Sequence, residues 1–171
     1  LREEAADCEA VIAIGGDGTV AETATGLDGA SIPLGIVPSG STNIVARNLG
    51  IPNDPVAAAE LIFRQPHTRM IDVGLCNGRR FLHMGGAGFD SRIFATTSKR
   101  LKRHLGWVAY LQGASQTIFE PPVHFTVTVD GAEMECESPL VLVANGGSII
   151  HPSISVLPGI RYDDGYLDVI I

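Results

Sequence analysis

Two glycine turns carry the residues best suited to chemistry. The first joins Gly15, Gly16, Asp17, Gly18 and Thr19 to Val20 and Ala21, directly after the apolar run 11–14. Backbone N–H groups at a strand-to-helix turn offer fixed donors and the positive end of a helix dipole, and glycines let a phosphate approach closely. Thr19 adds a hydroxyl at the helix start. The second turn, PSGSTN, follows the apolar run 32–37 and repeats the chemistry: Gly40 for approach, Ser41 and Thr42 for hydroxyls, Asn43 for a side-chain amide. A nucleotide is the occupant this pair predicts. The plainer alternative is two tight connections in which Asp17 or Ser41 caps a helix. Asp17 itself is the anomaly, because a bare carboxylate repels phosphate. It is expected to face phosphate only if a metal or a hydroxyl intervenes.

Further along, Asp164 stands beside Gly165 in YDDGYLD, where a carboxylate and nearby carbonyls suit a hard, oxygen-seeking cation. A plain turn stabilised by Asp163 is the alternative. Asp72 closes a strand-like stretch, where on pattern alone it reads as a turn cap. Lys99, Arg100, Lys102 and Arg103 precede Trp107 and Tyr110, a grouping that fits the interface of an anionic membrane, with a solvated helix face as the competing reading. His83, His104 and His151 lack metal-ligand spacing and receive no assignment.

The elements that must position these residues follow from pattern. Each glycine turn lies between a short apolar strand and a helix-compatible segment, the second helix ending at Gly50 and Pro52. Asp54 can cap a third helix with Pro55 at its first position. Strands alternating with helices predict a parallel sheet flanked by helices, with both turns opening on one crevice at the strands' carboxyl ends. Beyond Gln65-Pro66 the texture becomes β-rich: hairpins are predicted at Asn77-Gly78 and Asp130-Gly131, strands in PLVLVANGG and YLDVII, and a helical stretch over 90–119. The expected organisation is an α/β nucleotide-binding domain over 1–68 and a β-rich domain over 69–171, each partial. Residues 1–10 read as the tail of a helix whose preceding strand is missing, so a fragment is expected.

Composition narrows the class. The 171 residues are 45% hydrophobic and 18% charged with a net charge of -7, which predicts an ordinary soluble globular protein and argues against a nucleic-acid partner. The three cysteines, Cys8, Cys76 and Cys136, have no CxxC spacing and read as free thiols in a reducing, cytoplasmic setting. With no run long enough to span a bilayer, membrane contact is expected to be peripheral, on the inner face.

The ordered set GGDGT, PSGSTNIVARNLGIP, IDVG, FLHMGGAGFD, GWVAYLQG, VLVANGG and YDDGYLDV resembles the catalytic domain of the diacylglycerol kinase family, which includes bacterial lipid kinases and sphingosine kinases. The resemblance covers most of the chain. It implies a nucleotide-binding α/β domain followed by a β-rich lipid-binding domain of the NAD kinase/diacylglycerol kinase type. It further implies ATP and magnesium as cofactors and a lipid hydroxyl as acceptor, most simply diacylglycerol; a homo-oligomer is expected, though no motif in the sequence specifies it. By this resemblance residues 15–21 hold the ATP phosphates, and Ser41 replaces an ATP-contacting threonine. Asp72 supports a general base expected in a DGE motif beyond Ile171. Asp164 with the carbonyls of Arg161 and Tyr166 holds a structural magnesium. The family's acid after the asparagine is here Ile44, which leaves Asp17 as the chief metal-organising carboxylate. The alternatives are an NAD kinase-like enzyme, for which no paired Asn-Glu is found, and a non-enzymatic nucleotide or lipid sensor.

Overall fold

The computed structural model describes residues 1–28, 30–64, 67–88, 121–148 and 159–171. The helical stretch expected over 90–119, with its basic and aromatic residues, His104 and His151 lie outside the described residues. By contacts the chain forms two units, Leu1–Met84 with Asn145–Leu167, and Gly85–Ala144 with Asp168–Ile171.

The first unit is built on two parallel strands. After a short helix α1 (Arg2–Ala5), β1 (Val11–Gly15) pairs with β2 (Leu34–Pro38) in the register Val11 to Leu34 through Gly15 to Pro38. Helix α2 (Asp17–Gly26) connects them, α3 (Ile44–Asn48) follows the second turn, and α4 (Pro55–Arg64) follows α3. The sequence DGTVAETATG is a poor helix former, with two glycines and two threonines whose hydroxyls bond back to the carbonyls of Thr19 and Ala21. Burial holds it instead: Val20, at 2% exposure, enters a core with Ala13, Ile36, Ile44, Val45, Ala46 and Leu82. Helix α4 begins as its sequence predicts, the Asp54 carboxylate accepting the Ala57 N–H at 2.8 Å.

Strands β3 (Gly74–Cys76) and β4 (Arg79–Phe81) form an antiparallel hairpin around Asn77-Gly78. Both turn residues have positive φ, 50° and 77°, the geometry that a two-residue type I′ turn requires and that Asn-Gly tolerates. The hairpin is fastened to α2. Thr25 Oγ1 accepts the Arg80 N–H at 2.8 Å, and Arg79 and Arg80 pair with Glu22 and Asp28. Such ties group the segment up to Met84 with the first unit, whereas the division expected at 68/69 follows the change from helix-rich to strand-rich sequence.

The second unit is a three-stranded sheet, β5 (Met84–Gly88), β8 (Leu140–Ala144) and β9 (Asp168–Ile170), in the order β5-β8-β9, together with the hairpin β6 (Val123–Val129) and β7 (Ala132–Ser138). That hairpin turns at Asp130-Gly131, again with positive φ at both residues.

Candidate functional site

The strand register brings the two glycine turns together. Gly15 and Pro38 are paired at the carboxyl ends of neighbouring parallel strands, and the Ser39 N–H donates to the Gly15 carbonyl at 2.9 Å. Beyond this bond the turns touch backbone to backbone: a Cβ on Gly40 would lie 2.5 Å from the Gly16 Cα. Only glycine permits that approach.

The turns differ in the donors they leave available. At the first, Gly16 caps α2 without any side-chain cap hydrogen bond, so the helix start has no internal anionic partner there. Space around Gly18 is open, and the Thr19 side chain sits against Gly15. At the second, Asn43 adopts the left-handed conformation and is 4% exposed. Its Oδ1 accepts the Gly40 N–H at 2.9 Å, and its Nδ2 donates to the Gly40 carbonyl and to Asn53 Oδ1. Both amide hydrogens are therefore engaged inside the loop: Asn43 closes the turn rather than offering its amide outward. Ser41 is exposed and Thr42 half-buried.

Asp17 faces the second turn. Its Oδ1 accepts the Val45 N–H at 3.1 Å, so the carboxylate of one turn caps the helix of the other. Among the described residues no lysine or arginine pairs with it. A half-buried carboxylate without a basic partner, beside a helix start that lacks a cap, suits a cation bridging to phosphate. The donor set thus fits magnesium and a nucleotide's phosphates.

His83 and Tyr162 form an uncharged pair in the same unit. Nδ1 of His83 and the Tyr162 hydroxyl are 2.5 Å apart, and the rings stack with centroids 6.0 Å apart. Burial pushes the His83 imidazole below its ordinary range, against the opposing pull of Ser148's main chain and of Asp17. Burial, with the negative charge of Asp17, pushes the Tyr162 phenol well above its ordinary range. The phenol therefore keeps its proton near neutral pH.

Asp72 and YDDGY meet in the same unit. The Asp72 N–H donates to the Tyr162 carbonyl at 2.6 Å, and Asp72 Oδ2 accepts the Gly165 N–H at 2.8 Å. Asp163 pairs with Arg69 at 2.6 Å and with Arg161 at 3.3 Å. These arginines, Arg69 above all, hold the Asp163 carboxyl below its ordinary range. Asp164 Oδ1 accepts the Tyr166 N–H at 3.1 Å, which folds the proposed cation-binding carboxylate back on its own turn. Fully buried Asn145 ties the assembly together, its Nδ2 donating to the carbonyls of Asp72 and Leu82 and its N–H to that of His83.

Comparison with known proteins agrees with this architecture. Residues 1–76 match the family described as "Diacylglycerol kinase catalytic domain", and residues 84–171 match "YegS C-terminal NAD kinase beta sandwich-like domain". The chain belongs to the diacylglycerol kinase catalytic-domain family. A "Probable lipid kinase YegS-like" from Pseudomonas aeruginosa is 37% identical, covering 98% of this chain and 55% of the relative. A "Diacylglycerol kinase" from Bacillus subtilis is 32% identical, over 94% of this chain and 54% of the relative. A crystal structure of a diacylglycerol kinase from Bacillus anthracis superposes with a TM-score of 0.76 at 34% identity, covering 98% of this chain and 55% of that one. The chain spans about half the length of the curated relatives it matches. The fold of this diacylglycerol kinase family chain is an α/β part followed by a β-rich, NAD kinase-like part.

Sequence reasoning brought forward Asp17, the glycine turns, Asp72 and Asp164, but it passed over His83, Tyr162 and Asn145. Spacing carries no signal for the His83–Tyr162 pair, 79 residues apart. Asn145 did stand in a noticed segment, VLVANGG, whose polar residue after a buried strand marks a position needing partners.

Proposed function

We propose that the protein is an ATP-dependent lipid kinase that transfers the γ-phosphoryl group to a hydroxyl of diacylglycerol or a related lipid. The observation that carries this reading is the pair of touching glycine turns with Asp17 between them, in a chain of this family. Residues 15–21, with Gly40, Ser41 and Thr42, bind the phosphates, and Asn43 keeps the second turn in shape. Asp17 would hold the magnesium, which when bound would supply positive charge against the charge that develops during transfer. Asp17 and Asp72 are the catalytic carboxylates of this reading. Asp17 would orient the metal, while Asp72 acts on the acceptor side by supporting the carboxylate base that takes the hydroxyl's proton as it attacks. Arg161, Asp164 and Tyr166 hold a structural cation. Functionally, residues 1–68 serve the nucleotide and 69–171 the lipid. We place the enzyme in the cytoplasm as a homo-oligomer, meeting its substrate at the membrane surface. Among the described residues no helix is long and apolar enough to cross a membrane.

Transfer of radiolabelled phosphate from ATP by the full-length natural protein tests the reading, with diacylglycerol vesicles and NAD assayed side by side. Incorporation into lipid is expected. Incorporation into NAD alone would sink the lipid assignment, and none into either would favour a sensor. Asp17→Asn retains an oxygen for the Val45 N–H but removes the charge. It should cut turnover by about 100-fold or more with the fold intact, and near-normal turnover would refute the metal-orienting role.

A further inference from the structure

His83 and Tyr162 lie against the loop 145–148, and a chain of hydrogen bonds runs from that loop through α3 to Asp17. On one side, the His83 carbonyl accepts the Asn145 N–H at 2.7 Å, and Gly146 lies so close that a Cβ would come 2.5 Å from both His83 Nδ1 and the Tyr162 hydroxyl. The loop therefore rests directly on the hydrogen-bonded pair. On the other side, the loop reaches α3: Ser148 Oγ donates to Asn48 Oδ1 at 2.7 Å, and Asn48 Nδ2 donates to the Ile44 carbonyl at 2.8 Å. One residue on, Val45 binds Asp17.

We propose that the His83–Tyr162 pair is a clamp that positions Asp17, by pressing the loop 145–148 against α3 and thereby fixing the helix start that the Asp17 carboxylate grips. This deepens the kinase reading of the same site and rests on it. Neither residue touches the reacting atoms; both act through α3. A five-residue helix has too few internal hydrogen bonds to hold its own orientation, so an outside support is physically required. The pair suits that task because a short hydrogen bond between two stacked rings, Tyr162 buried and His83 half-buried, leaves little freedom at either. Catalytic geometry is sensitive to such support, since a misplacement of about 1 Å can cost about 100-fold in rate.

Tyr162→Phe removes the hydroxyl and keeps the ring, and His83→Phe removes Nδ1 while keeping a ring on the other side. In the full-length protein either variant should lower kcat by about tenfold or more. The double variant should lose no more than the single ones. The Val45 backbone amide should shift in the NMR spectrum of both variants, while more distant core amides stay in place. A folded variant with kcat within about twofold of wild type and an unmoved Val45 amide would overturn the clamp. Should the wild type phosphorylate no lipid, the kinase reading falls alone, and the Val45 signal still decides whether the pair positions α3.

Discussion

Asp17 answers two demands with one side chain. As an acceptor it caps α3, and as a charge without a basic partner among the described residues it remains available to a cation. His83 illustrates the complementary strategy, a titratable group kept neutral by burial. Its depressed folded-state pKa has a defined consequence for stability. The unfolded imidazole gains its proton as pH falls through 6.5, whereas the folded one, beside Tyr162 and Asp17, resists until lower pH. Stability from this group is complete above pH 6.5 and is lost as pH falls toward the folded pKa, by at most about 1.4 kcal/mol per pH unit. Urea unfolding between pH 7.5 and pH 5 should show this slope in the wild type and a shallower one in His83→Gln. Equal slopes would show that the folded imidazole titrates normally.

At the scale of elements, the contact of the two turns decides what each glycine does. Gly40 is pinned by backbone: an added Cβ would meet the Gly16 Cα at 2.5 Å and Asn43 Oδ1 at 2.7 Å, and neither can move without dislodging a turn. Gly40→Ala should destabilise by about 1–3 kcal/mol, as overpacking does. Gly18, with nothing within 4 Å, should behave oppositely. Gly18→Ala is expected to stabilise α2 by up to about 1 kcal/mol while weakening nucleotide binding, since the new methyl occupies the open approach. Denaturant midpoints with isothermal titration of a non-hydrolysable ATP analogue separate the two cases. Equal stability changes at both positions would contradict the backbone contact. The hairpins and α4 were readable locally, because Asn77-Gly78, Asp130-Gly131 and Asp54-Pro55 specify their own backbone geometry. By contrast α2 was readable as a segment but not as a stable one, since its support comes from Val20 and the core.

Across the whole molecule, the first unit is completed by a segment from late in the chain. Asn145 shows what holds that return in place. Its amide satisfies the carbonyls of Asp72 and Leu82, 73 and 63 residues away, and the opposite amide orientation would set oxygen against oxygen. Asn145→Leu keeps approximate volume and leaves two carbonyls without donors, so it should cost about 2 kcal/mol or more. Thermal unfolding checks this, and a melting temperature within a degree of wild type would show that the carbonyls find other partners. The Asp72 to Gly165 bond, across 93 residues, is of the same kind.

Among the described residues, the order of strands, helices and turns and the parallel pairing behind the two glycine motifs were present in local pattern, and the family in motif spacing. These depend on hydrophobic period and turn chemistry, which neighbouring residues determine among themselves. Tertiary structure alone decided which donors each turn keeps, why Asp17 grips the far helix, and that His83 meets Tyr162. Asp17 and Val45 lie 28 residues apart, His83 and Tyr162 79, and Asp72 and Gly165 93, and only chain closure, which sets distance and excludes water, turns such residue types into interactions.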